Sequence, residues 1–305
     1  SLSIIVALDF TLWFKYLLVI QTAVPLLMVL MLGISNLFYS FFFEARSKRL
    51  LHNTFGQYVP REYVKKIADN PDGAGLEGQS KVMSVLFSDI VSFTKISEGL
   101  EATDLTKLIN LYLTPMTEII FNNAGTIDKY VGDMIMAFWG APLDDEDHAK
   151  KACLTALQMI QHLEPLAEEF KSLGYPVVSA GIGINTGQMN VGDMGSKFRK
   201  AYTVLGDSVN LGSRLEASTR FYGVDVIVSE FTKEGLDDSF VFKLLDYVQV
   251  KGKELPVKIY ELICTQENST SDILAEVNQH QKAMEHYFNC EWQAALTIFT
   301  QLQQQ

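Results

Sequence analysis

The chain has 305 residues, which is enough for one or two domains with a sizeable hydrophobic core. Its 25 Lys and Arg residues against 36 Asp and Glu residues give a formal net charge of −11. This balance lacks the basic domain or stripe of a nucleic-acid-binding protein, so we expect no nucleic-acid partner. The three cysteines, Cys153, Cys264 and Cys290, form no CxxC pair and predict neither a zinc site nor a disulfide framework. A reduced, cytoplasmic setting fits them best.

The first predicted element is a membrane span. Leu17–Phe43 is an apolar run without a charged side chain, and as a helix it would be roughly 40 Å long, against ~30 Å for the hydrocarbon core of a bilayer. The alternative is a buried core helix, but the run is too long and too uniform for one. Arg46, Lys48 and Arg49 follow at once, so the positive-inside rule places the C-terminal side in the cytoplasm. We therefore expect contact with membrane lipid and a location at the inner (plasma) membrane.

The span is flanked by two further segments. Residues 1–16 are interpreted as the end of a preceding membrane segment, Leu2–Leu8, followed by a short loop. Residues 44–77 are interpreted as a cytoplasmic connector, because Glu44–Ile67 is charged and favours a helix and Asn70–Gly75 is rich in turn formers. In a dimer this connector could pair with its twin and transmit a signal. An ordinary solvated helix packed on its own domain is the alternative.

From residue 78 the pattern alternates between strands and helices, which predicts one domain over residues 78–264. Thr103 is the predicted N-cap of its first long helix and Gly125 the residue that ends it. A sheet with helices segregated to one face predicts an α+β sandwich. The predicted elements are a strand Val82–Phe87, a helix Asp104–Asn123, two strands around the turn Tyr130–Asp133, a helix Glu146–Leu173, a strand Val177–Ile184, a Gly/Met-rich arm Gly187–Arg199, a helix Ser208–Phe221, and strands Val226–Val228, Phe242–Val250 and Lys258–Leu262.

Residues 265–305 begin with a polar linker and then predict two helices, Asp272–Asn289 and Glu291–Gln304. Their pattern resembles a single tetratricopeptide hairpin, and one such repeat is too few to be stable alone. We therefore expect this tail to pack against the preceding domain or against another part of the protein. A peptide-binding platform is the less favoured alternative.

Two aspartates at the ends of apolar runs are the most informative chemical feature. Asp89 follows Val85–Ser88, and Asp133 lies in a glycine-containing turn. Such carboxylates can converge on Mg²⁺, which needs hard oxygen ligands and shares them with substrate phosphates. Paired metal ions then stabilise the attacking and the leaving oxygen of a phosphoryl transfer. On spacing alone, two turn aspartates that cap their own loops are an equally good interpretation.

Three motifs change that balance. They are Phe87–Thr94, Asp128–Asp133 and Tyr202–Glu216. Together and in this order they resemble the catalytic domain of class III nucleotidyl cyclases, from about Lys81 to Leu262. The resemblance implies a ferredoxin-like α+β core that dimerises across its active sites. It also implies conversion of ATP to 3′,5′-cyclic AMP and pyrophosphate with two Mg²⁺ ions per site, for which Mn²⁺ substitutes.

The resemblance also implies roles for individual residues. Asp89 and Asp133 would bind the metals, with the carbonyl of Ile90 as a further ligand. Backbone N–H groups of the turn formed by Ile90, Val91, Ser92, Phe93 and Thr94 would hold the β- and γ-phosphates, although a plain strand-to-helix turn is the alternative.

Two more predicted residues lie on the helix of the third motif. Asn210 would orient the ribose and Arg214 would stabilise the transition state, and their spacing of four residues places them on one helix face. An Asn-x-x-x-Arg pair by itself is more typical of a solvated face.

Lys129 and Thr203 stand where the family reads the base. A lysine donor beside a hydroxyl suits adenine, whose N1 accepts and whose N6 donates, whereas guanylate-forming relatives tend to carry Glu and Cys. Thr203 makes the chain similar to the Thr-bearing, bicarbonate-responsive subgroup, so bicarbonate activation is a hypothesis. Lys251, or else Lys253, is expected at the triphosphate, with a solvated turn as the alternative. The phosphate-binding Arg of animal relatives is absent, and Ala180 stands there.

The family draws metal ligands from one subunit and base-reading and transition-state residues from the other. This chain carries both sets, which predicts a homodimer. Phe55–Pro60 is similar to a stretch that follows the last span of cyclases with an extracytoplasmic CHASE-type sensor, so we expect the C-terminal part of such a membrane protein. Three alternatives remain: a catalytically silent relay module, a guanylate cyclase and, disfavoured because its Gly-Gly-Asp/Glu-Glu-Phe motif is missing, a diguanylate cyclase.

Overall fold

The protein is described by a computed structural model that covers residues 2–16, 27–39, 78–196, 200–249 and 256–303. It divides into two units, Ser1–Gly56 and Gln57–Gln305. The predicted connector over residues 44–77 lies outside the described residues. Lys251 and Lys253 also lie outside them.

In the first unit, helix α1 spans Leu2–Tyr16 and helix α2 covers residues 27–39. The expected loop over Asp9–Tyr16 is wrong, because this segment continues the helix. Phe10 and Phe14, one turn apart, stack with ring centroids 5.4 Å apart and stabilise that turn. None of the helices among the described residues combines the length and the apolar composition that a membrane span requires.

The second unit contains a sheet, the helices that cover it and a helical tail. Its elements are β1 Gln79–Ile90, α3 Phe93–Glu98, α4 Ala102–Asn122, β2 Thr126–Val131, β3 Met134–Trp139, α5 His148–Ser172, β4 Ala180–Gly195, β5 Lys200–Leu205, α6 Asp207–Tyr222, β6 Val226–Ser229, α7 Glu230–Glu234, β7 Phe240–Val248, β8 Val257–Thr265, a 3₁₀ turn Gln266–Asn268, α8 Ser271–Phe288 and α9 Trp292–Leu302.

The described strands form one eight-stranded sheet in the order β2-β3-β1-β4-β6-β8-β7, with β5 also paired to β4. Every described pair is antiparallel except β4–β6. The predicted α+β class with an antiparallel-rich sheet is therefore confirmed. The long central strand β4 pairs with β1, β5 and β6, and these pairings position the residues of the site.

The expectation that the helices lie on one face of the sheet is wrong. Leu86 of β1 belongs to the core beneath α4 and α5, whereas a Cβ added to Gly212 of α6 would lie 2.9 Å from Val85 and 3.2 Å from Phe87. Successive strand residues point to opposite faces, so α6 covers the other side. Gly183 of β4 permits this, because any side chain there would overlap the backbone of α6.

The strand β4 is also longer than predicted, since it includes most of the Gly/Met-rich arm. Gly and Met are poor strand indicators, but pairing with β1 as far as Val191 and with β5 as far as Gly195 overrides composition. The N-cap of α4 is Glu101 and not Thr103, which lies inside the helix. Gly125 is required by packing rather than by its dihedral angles, since an added Cβ would lie 2.7 Å from Trp139.

The tail packs on the sheet. The rings of Tyr247 on β7 and Phe288 on α8 meet edge to face at 4.4 Å, and Lys243 of β7 lies 3.8 Å from Glu276 of α8. A cavity of about 420 Å³ remains between α8 and strands β7 and β8. The tail is therefore an integral part of the second unit's surface.

Candidate active site

The two aspartates of the predicted metal site lie side by side. Asp89 is the penultimate residue of β1, and Asp133 lies in the β2–β3 turn, where Gly132 adopts a φ of 67°. Because β3 pairs with β1, this turn stands beside the end of β1. Asp133 Oδ2 accepts a hydrogen bond from the backbone N–H of Ile90 at 3.0 Å.

The electrostatics of this pair favour a cation. Burial, together with the adjacent carboxylate of Asp89, raises the pKa of Asp133 to about 7. Among the described residues no group of three or more His, Cys, Asp or Glu side chains is placed to hold a metal ion. The pair therefore fits a magnesium-type site only if water, a carbonyl or substrate phosphates complete the coordination, and Mg²⁺ is usually bound in that way.

Arg220 is a site residue that sequence reasoning missed. Its Nη2 lies 2.7 Å from Asp89 Oδ2, and its Nη1 lies 2.9 Å from Glu216 Oε1. Burial raises the pKa of Glu216 to about 7, with Arg220 acting to lower it and Asp89 to raise it. The spacing of Glu216 and Arg220 indicates a pair on one helix face. Only the packing of α6 against β4, where Gly181 is in register with Asp89, brings that pair to the metal site.

The predicted phosphate turn offers fewer free donors than expected. The N–H of Ile90 is used by Asp133, and the N–H of Val91 donates to Ser179 O at 2.9 Å. Ser92 adopts a left-handed conformation with φ 58°, and α3 begins directly after it. The N–H groups of Ser92, Phe93 and Thr94 come at the start of a helix, where such groups have no intrahelical partner, so they are the donors that remain for a phosphate.

The predicted base-reading residues meet, although β2 and β5 are not paired strands. Lys129 Nζ lies 3.4 Å from Thr203 Oγ1. Asp128, a second residue that sequence reasoning missed, joins them: its Oδ2 accepts from Thr203 Oγ1 at 2.5 Å and from the N–H of Val204 at 3.2 Å. Its Oδ1 pairs with Lys129 Nζ at 3.0 Å. The only sequence signal was an acidic residue next to Lys129.

Asn210 and Arg214 lie on the outer surface of α6. Both are exposed, whereas Gly212 and Glu216 of the same helix face the sheet. Among the described residues no hydrogen bond or ion pair connects the side chains of Asn210 or Arg214 with Asp89 or Asp133. Within one chain the carboxylate pair and the base-reading pair form two separate groups of contacts, and Asn210 and Arg214 are exposed on α6.

Comparison with known proteins agrees with this geometry. Residues 77–264 match the family described as the adenylate and guanylate cyclase catalytic domain. Adenylate cyclase 1 of Rhizobium meliloti is 34% identical over 210 residues, which cover 69% of this chain and 32% of that protein. An adenylate cyclase of Anabaena cylindrica is 34% identical over 223 residues, covering 69% and 43%. The chain thus spans less than half the length of these two relatives.

Solved structures with the same fold include both nucleotide classes. The adenylyl cyclase CyaB of P. aeruginosa has a TM-score of 0.59 at 35% identity and covers 64% of this chain and 100% of its own. The guanylyl cyclase Cya2 has a TM-score of 0.59 at 33% identity, with 63% and 97% covered. Overall similarity alone therefore does not decide the base, and the side chains at the base-reading pair must.

Proposed function

Because the chain belongs to the adenylate and guanylate cyclase catalytic domain family, we propose that it converts ATP to 3′,5′-cyclic AMP and pyrophosphate. The observation that carries the choice of ATP is the contact of Lys129 with Thr203. An ammonium donor beside a hydroxyl matches adenine, in which an acceptor nitrogen adjoins an amino group. The Rhizobium and Anabaena relatives are named adenylate cyclases, which supports the same substrate.

In the proposed reaction the ribose 3′-hydroxyl attacks the α-phosphate and pyrophosphate leaves. Asp89 and Asp133 would hold the metal ions, and Mg²⁺ or Mn²⁺ bound there supplies Lewis-acid stabilisation of the phosphates and lowers the pKa of the attacking hydroxyl. The N–H groups of Ser92, Phe93 and Thr94 bind the terminal phosphates. Catalysis of this step consists mostly of positioning and charge stabilisation.

The base-reading residues Lys129 and Thr203 and the transition-state residues Asn210 and Arg214 reach the reaction from a second copy of the chain. Asn210 orients the ribose, and the guanidinium of Arg214 neutralises charge that grows on the transferring phosphate. Their outward position on α6 supports a homodimer in which each site combines residues of both subunits. Lys251, by resemblance to the family, contacts the triphosphate.

The test is product formation by the purified chain with Mg²⁺ or Mn²⁺, with ATP and GTP assayed in parallel and Asp133→Asn as the inactive control. Cyclic AMP from ATP alone, lost in the variant, is the expected result. Cyclic GMP from GTP as the main product would identify a guanylate cyclase instead. Nucleotide binding without turnover under every condition would identify a silent relay module.

We also propose that the catalytic domain is anchored to a membrane. The apolar run Leu17–Phe43 and the basic residues behind it support a membrane anchor with the catalytic domain on the cytoplasmic side. Fractionation of cells that express the full chain, with and without deletion of residues 17–43, tests this. Recovery of both forms in the soluble fraction would contradict it.

Thr203 supports activation by bicarbonate through resemblance to the Thr-bearing subgroup. Cyclic AMP formation is expected to rise with bicarbonate at fixed pH and fixed ionic strength. Chloride at equal concentration is the control. A flat response to bicarbonate would remove this part of the proposal.

A further inference from the structure

Asp128 is buried at the point where the two base-reading side chains meet. Its side chain is 1% exposed, and every partner that it has among the described residues belongs to the base-reading region. These partners are the hydroxyl of Thr203, the N–H of Val204 and the ammonium of Lys129. Burying a carboxylate is costly unless it is ion-paired and hydrogen-bonded, so the ion pair at Oδ1 and the hydrogen bonds at Oδ2 constrain the groups around it.

The carboxylate determines which way the Thr203 hydroxyl points. A backbone N–H and an ammonium can only donate, so the Asp128 oxygens act as acceptors. The hydroxyl lies 2.5 Å from Oδ2 and must donate to it. A threonine hydroxyl has one proton and two lone pairs, and with the proton committed it presents only lone pairs to a ligand.

Asp128 also holds the Lys129 ammonium beside the Thr203 hydroxyl, where it acts as a hydrogen-bond donor. Its Nζ lies 3.0 Å from Asp128 Oδ1 in an ion pair, and one of its N–H groups donates to Thr203 Oγ1 at 3.4 Å. An ammonium has three donors and no acceptor, so at least one donor remains for the base. The pair therefore presents an acceptor at Thr203 beside a donor at Lys129. Adenine carries a donating N6 amino group beside an accepting N1, whereas guanine carries an accepting O6 beside a donating N1–H.

We propose that Asp128 is a specificity-determining positioning residue, which fixes the hydrogen-bond polarity of Thr203 and Lys129 so that the pocket accepts adenine and disfavours guanine. This inference rests on the proposed function for its choice of nucleotide. It goes beyond that function because it assigns the base preference to a residue that does not itself touch the base. A hydroxyl free to rotate could serve either base, and the carboxylate removes that freedom.

The experiment measures binding of 3′-deoxy-ATP and 3′-deoxy-GTP, which lack the attacking hydroxyl and report base preference without turnover. Asp128→Asn keeps the size of the side chain but adds an NH₂ donor. When this group donates to Thr203 Oγ1, the hydroxyl of Thr203 is free to donate its own hydrogen bond to the base. The ratio of the two affinities is expected to fall about tenfold toward guanine, because one hydrogen bond of reversed polarity is worth roughly that factor. Asp144→Asn, at an exposed carboxylate paired with Lys81, is the matched control and is expected to keep the ratio.

The same substitution made in a Thr203→Val variant distinguishes a positioning role of Asp128 from a general structural role. Thr203→Val removes the hydroxyl, so in that background Asp128→Asn is expected to change the ratio much less than in the wild type. Where Asp128→Asn does not fold, Asp128→Glu takes its place, since the extra methylene displaces the oxygens from the hydroxyl. An unchanged ratio in the single variant, or an equal effect in both backgrounds, would overturn the proposal.

The binding readout also separates this inference from the reaction. A wild-type chain that prefers 3′-deoxy-ATP but forms no cyclic AMP would contradict the proposed reaction and support the base-reading role of Asp128. A wild-type chain without any preference between the two analogues would overturn the role of Asp128 whatever product it forms.

Discussion

At the scale of single residues, the site is a set of charges held close together before any ligand arrives. Asp133 lies beside Asp89, and its burial, together with the adjacent carboxylate of Asp89, raises its pKa to about 7. Arg220 supplies the compensating positive charge at Asp89. A metal ion that enters this site must therefore compete with a guanidinium.

This competition leads to the first prediction. Arg220→Gln removes the competing cation, so the metal-free chain is expected to bind Mn²⁺ about fivefold more tightly, since a partly exposed ion pair is worth about 1 kcal/mol. Titration of Mn²⁺ followed by electron paramagnetic resonance, without nucleotide, measures it. Lys150→Gln, which removes an exposed cation paired with Asp237, is the control of equal charge. A weaker Mn²⁺ affinity in Arg220→Gln would show that Arg220 supports the metal rather than competing with it.

At the scale of elements, the approach of α6 to the sheet depends on small residues. Gly183 lies directly under the backbone of Glu216 and Gly212, so Gly183→Ala must push α6 away from β4. We expect a loss of about 2–4 kcal/mol in the free energy of unfolding, at the upper end of the cost of overpacking. Urea denaturation measures it, and Gly78→Ala, where no atom lies within 4 Å of the added Cβ, is expected to be nearly neutral. Equal stability of the two variants would contradict the packing described for α6.

The tail contains a half-buried histidine, His280. Burial, and then the charge of Lys243, lowers the pKa of His280 to about 4 from its ordinary 6.5. Between these two values the unfolded chain binds more protons than the folded one, so the stability of the tail falls as the pH decreases from about 6.5 to about 4. Lys243 is itself paired with Glu261 and Glu276, and the ring of His280 lies 5.5 Å from that of Phe299.

The prediction is therefore an acid-sensitive docking of α8 and α9. Fluorescence of Trp292 on α9, followed during denaturation at pH 7 and pH 5, is expected to show a lower midpoint at pH 5. His280→Phe keeps an aromatic ring but cannot be protonated, so most of this difference is expected to disappear. A pH dependence as large in His280→Phe as in the wild type would exclude His280 as its source.

At the scale of the whole molecule, the outward position of Asn210 and Arg214 makes the proposed activity a property of two chains. Asp133→Asn and Arg214→Ala disable opposite halves of a shared site. A mixture of equal amounts of the two inactive variants is expected to recover about a quarter of the wild-type activity, because half of the dimers are mixed and each contains one complete site. Product formation before and after mixing measures this. No recovery, with exchange of subunits demonstrated, would place all site residues within one chain.

The sequence by itself determined the α+β class, most of the elements in their order and the candidate residues Asp89, Asp133, Lys129 and Thr203, but it did not predict β5 or the short helices α3 and α7. Apolar periodicity and local motifs depend only on neighbours along the chain, and such signals survive without a structure. The helix of Asn210 and Arg214 was predicted within one residue at either end for the same reason.

Only the tertiary structure decided which face of the sheet α6 covers. It also showed that the N–H groups of Ile90 and Val91 donate to acceptors within the protein. The same holds for the contacts that bring Arg220 and Asp128 into the site. Each depends on contacts between distant segments. Arg220 is 131 positions from Asp89, and Asp128 is 75 positions from Thr203. The glycines of β4 and the strand pairing bring these distant residues together, so no local sequence pattern predicts the contacts.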